Sequence, residues 1–129
     1  MNKSKKKIIT AVVFLTAFVI GWYHLRMGMK AIFVFRNNEP LASWVGIIAG
    51  PLSTLPASFL SLFKRKLGGY WLIVGGIISF VAILLIQNEG DLLALAGRVA
   101  LMILLPMIGL GLAFILLNKN QNQQTQNNK

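Results

Sequence analysis

LASWVGIIAGPLSTLPASFLSLFKRK, residues Leu41–Lys66, decides the fold class. No charged residue occurs from Leu41 to Phe63. At 1.5 Å per residue that run is about 34 Å long as a helix, enough to cross a bilayer. Lys64-Arg65-Lys66 stops it. Small residues recur along it at Ala42, Gly46, Ala49, Gly50, Ser53 and Ala57. Small side chains let helix backbones approach, so this face is read as turned toward protein and Leu52 and Leu60 as turned toward lipid. Gly46-x-x-x-Gly50 is read as packing within the chain in preference to a dimer face. Pro51 and Pro56 each remove a backbone donor, and a kink is expected there and at Pro106. A static kink is preferred over a hinge or a pore-lining break. Ser53, Thr54 and neighbouring helices are the candidate partners for the freed carbonyls.

The rest of the chain repeats this character. Of 129 residues, 56% are hydrophobic and 12% charged; a soluble domain would carry about twice that charge. The apolar residues fall in long blocks, so the solvent is lipid. The expected fold is all-α: a polytopic integral membrane protein, a bundle of four transmembrane helices. The spans are placed at about residues 8–25, 41–63, 67–86 and 92–117, forming one domain over 1–117.

Before the first span stand Lys3, Lys5, Lys6 and Lys7. This basic head and apolar run resemble a signal peptide, but Gly21-Trp22-Tyr23-His24 offers no small-residue cleavage site, so an uncleaved span is expected. Arg26–Glu39 is read as the longest connection, its apolar stretch 31–35 being too short to span. Asn37-Asn38-Glu39-Pro40 has the side chains of a helix start. The tail from Asn118 to Lys129 is nine Asn or Gln in twelve residues, and disorder is expected for it.

The net charge of +10 is read as topological. The N-terminal tail holds four Lys or Arg, Lys64–Lys66 three and the C-terminal tail two. The opposite loops hold three: Arg26, Lys30 and Arg36. Nine against three places both termini in the cytoplasm. The basic segments are expected to attract anionic lipid headgroups in a generic way, specific binding being the less favoured reading. Nucleic acid is not expected as a partner. Another membrane protein, or a second copy of this chain, is.

Catalytic chemistry is hard to assemble from these residues. There is no cysteine, one histidine and three acids, which leaves no metal-ligand cluster. His24 is read as an interfacial polar residue. No serine lies in a nucleophile context, and no phosphate-binding glycine loop occurs, since Gly75-Gly76 sits within a span. No span contains Asp or Glu, which argues against a proton-driven pump. No cofactor and no enzymatic activity are expected.

Arg98 is the only charge inside an apolar block. In the preferred reading the span is Val99–Leu117 and Arg98 snorkels to the headgroups. In the other, Arg98 lies about 10 Å inside and pairs with Asp91 or Glu89. The overall expectation is a small multi-pass protein of a bacterial plasma membrane, acting by interaction with other membrane components as an accessory, immunity-type or stress-related factor. The alternative is a small oligomeric channel or permease lined by hydroxyls and carbonyls.

Overall fold

The computed structural model describes residues 2–34, 39–86 and 91–127 and is built of helices throughout. Helix α1 runs Lys3–Val34, α2 Leu41–Ala49, α3 Pro51–Phe63, α4 Arg65–Ile86 and α5 Leu92–Val99; a π-helical segment, Ala100–Leu104, leads into α6, Leu105–Asn127. α2 and α3 together make one broken helix of span length, and so do α5, the π segment and α6. Among the described residues four helices are therefore long and apolar enough to cross a membrane.

Two boundaries differ from the sequence reading. The first helix does not end near Leu25 but continues to Val34, through Arg26 and Lys30. Its buried residues are Ala17, Gly21, His24 and Gly28, one helical stripe that carries the packing face past Arg26. The last helix runs through the Asn/Gln tail to Asn127. Adding a turn to an existing helix requires no new nucleus, so a polar stretch can continue one that an apolar block has begun. Residues 35–38 and 87–90 lie outside the described residues, and with them Asn37, Asn38 and Glu89.

α4 is the centre of the packing. It lies against α2 and α3 on one side and against the π segment and α6 on the other, while α1 packs on α3 and touches α6. Glycine makes the closest approach possible. A Cβ on Gly69 would stand 2.6 Å from the Gly111 carbonyl oxygen, and one on Gly111 would stand 2.6 Å from that of Gly69. The core is Ala17, Ala57, Leu72, Val99, Ile103, Met107, Leu110 and Phe114. Phe14 meets Phe114 at 5.0 Å between ring centroids.

The helices are staggered at one end. The Arg65 guanidinium, at the turn between α3 and α4, lies 5.9 Å from the centre of the Phe14 ring. Lys6 is eight residues nearer the N-terminus, and its Nζ donates to the Asn120 carbonyl oxygen at 3.1 Å. α1 and α6 thus run on together for about 12 Å beyond the α3–α4 turn.

Candidate functional site: a polar seam and a basic cavity

The prolines act differently from one another. Pro51 starts α3, and the break falls at the preceding residue, Gly50, which separates α2 from α3. Pro56 lies inside α3 without ending it. Pro106 follows the π segment. Having no N–H, it cannot serve the carbonyl four residues earlier, which is that of Met102. A π segment is the local widening by which a helix accommodates such a gap.

His24 fills the gap. Its Nε2 donates to the Met102 carbonyl oxygen at 2.8 Å. Its Nδ1 lies 2.9 Å from the Thr54 hydroxyl, which is 3.0 Å from the Gly50 carbonyl oxygen at the break. A carbonyl only accepts, so Nε2 carries the hydrogen; in the neutral ring Nδ1 then accepts from Thr54. His24 is 1% exposed. It is not interfacial, as the sequence suggests, but joins α1, α3 and the π segment inside the bundle.

The remaining buried hydroxyls are satisfied in the same way. Ser53 donates to the Ala49 and Gly50 carbonyls, Ser58 to Thr54 at 2.7 Å and Ser61 to Ala57 at 2.9 Å. Ser79 of α4 reaches across to the Gly46 carbonyl at 2.6 Å. Ser43 donates to the Glu39 carboxylate at 3.2 Å.

The small residues of the second span fall on one side. Gly46, Gly50, Ser53 and Ala57 are buried, while Ala42 and Ala49 are half-buried. Gly46 packs on Ala82 and Ile83 of the same chain. Leu52 is not free for lipid: its side chain lies over Gly28. Arg98 is exposed in the last turn of α5. Asp91 is occupied elsewhere, accepting from the backbone N–H groups of Leu93 and Ala94 as the α5 cap.

The stagger leaves a cavity of about 570 Å³ at the α3–α4 turn, with Lys64, Arg65 and Lys66 on one side and Asn118 and Gln121 of α6 on the other. Arg65 Nη1 is buried and has no hydrogen-bond partner among the described residues. Lys66 Nζ stands 6.0 Å from the centre of the Tyr70 ring, and Tyr70 also lines the cavity.

The sequence reading missed the seam because it took the only histidine as isolated. The spacing Ala17, Gly21, His24, Gly28 was the available signal, placing His24 among small residues on an interior face. No family model, curated protein or solved structure matches the chain.

Proposed function

We propose that this is a multi-pass membrane protein, both ends of the chain in the cytoplasm, that acts by binding other membrane components and not by catalysis. The observation that carries this reading is the closure of the interior. Every described polar residue buried as a whole, from His24 to Ser79, has a hydrogen-bond partner within the bundle. A membrane interior offers no water to such groups, so their first role is to hold helices together. The surfaces left for recognition are the basic end and the apolar flanks. The excess of Lys and Arg at the end that bears Lys64–Lys66, which Lys6 and Asn120 share, supports this orientation.

Cross-linking in native membranes, followed by mass spectrometry, tests the reading. A different membrane protein captured at stoichiometric yield supports it; capture of this chain alone counts against it. A second reading, a small oligomeric permease, is favoured by one feature: the Gly50 break, His24 and the π segment meet at one level, as broken helices do around transported solutes. A homo-oligomer that raises the permeability of liposomes would select it.

A further inference from the structure

The cavity at the α3–α4 turn continues into the membrane-facing surface. Leu67 and Tyr70 line both the cavity and an apolar groove of about 470 Å³. Trp71, Val74 and Ile78 form that groove along α4, with Ala49 at its side. From Leu67 to Ile78 is eleven residues, about 17 Å of helix. That is about half of a bilayer's hydrocarbon thickness of about 30 Å, the depth of one leaflet.

We infer that this composite surface is a binding site for one anionic glycerophospholipid. The phosphate occupies the basic cavity and an acyl chain lies in the groove along α4. It deepens the membrane-component reading above and rests on it. Three features support the choice of occupant. The cavity brings together Lys64, Arg65 and Lys66 and is lined by no acid among the described residues, which selects an anion. Arg65 lines the cavity, and its guanidinium holds a buried N–H group with no acceptor among the described residues, so its hydrogen-bonding capacity is not used up within the bundle. The adjoining groove is lined by carbon along the length of a single leaflet, which suits an acyl chain and neither a free anion nor a nucleic acid. Tyr70 stands at the junction, where an aromatic with a polar tip belongs in the headgroup region. Generic attraction would require only charge; a cavity with a groove attached specifies a molecule.

The test is native mass spectrometry of the full chain in detergent micelles titrated with phosphatidylglycerol or phosphatidylcholine of equal chain length. One phosphatidylglycerol is expected to stay bound, about tenfold or more tighter than phosphatidylcholine. Arg65→Gln is expected to abolish that preference. Lys64→Gln/Lys66→Gln provides a second variant at exposed positions should Arg65→Gln not fold. Lys3→Gln/Lys5→Gln/Lys7→Gln removes three charges outside the cavity and is expected to leave the bound lipid in place; an equal loss there would overturn the proposal in favour of generic attraction. Val74→Trp fills the groove without touching the cavity. It is expected to release the long-chain lipid while sparing glycerol phosphate; unchanged retention of the lipid, or its displacement by millimolar inorganic phosphate, would show an anion site and overturn the lipid assignment. The isolated chain is used throughout, so a failure here is separate from a failure to capture a protein partner in native membranes.

Discussion

His24 donates to the carbonyl of Met102, 78 residues further along the chain, at 2.8 Å. Pro106, four residues after Met102, has no N–H to offer that carbonyl. A side chain of the first helix thus completes the backbone of the last.

The first prediction is that His24 and Pro106 are energetically coupled. His24→Phe keeps an aromatic of similar size but leaves the Met102 carbonyl unserved inside the bundle, which costs about 1–3 kcal/mol. Pro106→Ala restores an N–H that can serve it. In a Pro106→Ala background, His24→Phe should therefore destabilise by less. A double-mutant cycle read by thermal denaturation in detergent measures the difference. Strict additivity would mean that the two residues act separately.

The second prediction separates glycines that permit packing from one that does not. Gly46→Leu and Gly69→Leu are expected to destabilise by about 1–3 kcal/mol through overpacking. A Cβ on Gly46 already meets Ile83 Cγ1 at 3.0 Å, and one on Gly69 meets backbone. Gly109 is exposed and has open space around its Cα. Gly109→Ala should be neutral, or stabilising by a few tenths of a kcal/mol through helix propensity. Thermal aggregation midpoints rank the three.

The third prediction is topological. Reporter fusions after residues 38, 66, 90 and 129 should read outside, inside, outside and inside. The first junction is placed beyond Val34 because α1 continues that far, and a fusion after residue 30 would cut a helix. An outside reading after residue 129 would overturn the assignment of both ends to the cytoplasm.

Much of the helical architecture was legible because lipid-length apolar blocks are bounded by charge, a pattern that needs no knowledge of tertiary structure. The end of α1 was not. Arg26 and Lys30 look like a boundary, yet both are exposed on a helix whose other face, Gly21, His24 and Gly28, remains buried. Charge marks where one face meets polar surroundings and says nothing of the opposite face. The helical path of the tail to Asn127 has a related reason: its composition lacks a core, but α6 is already nucleated upstream. The seam was partly legible. Ser53 and Thr54 were singled out as partners for carbonyls freed near the prolines, and both lie in the seam, but Ser53 donates back to the Ala49 and Gly50 carbonyls and Thr54 faces the His24 ring, whereas the carbonyls four residues before Pro51 and Pro56 are those of Ile47 and Leu52. That His24 serves Met102 could not be read, since it depends on how α1 and α6 pack. Nor could the basic cavity, which arises from the unequal lengths of helices around the α3–α4 turn.

The last prediction concerns Asp91 and Arg98. They stand seven residues apart, a spacing that puts two side chains on one face two turns apart, and an ion pair between them is one reading of the sequence. The geometry engages Asp91 differently. Its Oδ1 accepts from Leu93 N at 3.2 Å and Ala94 N at 3.3 Å, capping α5. Among the described residues Arg98 has no ion-pair partner, and its side chain is exposed. The cap and the ion pair make opposite demands on substitutions. Asn caps a helix about as well as Asp but carries no charge. Asp91→Asn should therefore keep the thermal midpoint, while Asp91→Ala should cost about 1 kcal/mol. Arg98→Gln should be silent, and Asp91→Ala with Arg98→Gln should equal the sum of the two single effects within about 0.5 kcal/mol. An ion pair would give the reverse pattern. Asp91→Asn would then be as damaging as Asp91→Ala, and removing Arg98 as well would relieve part of the loss.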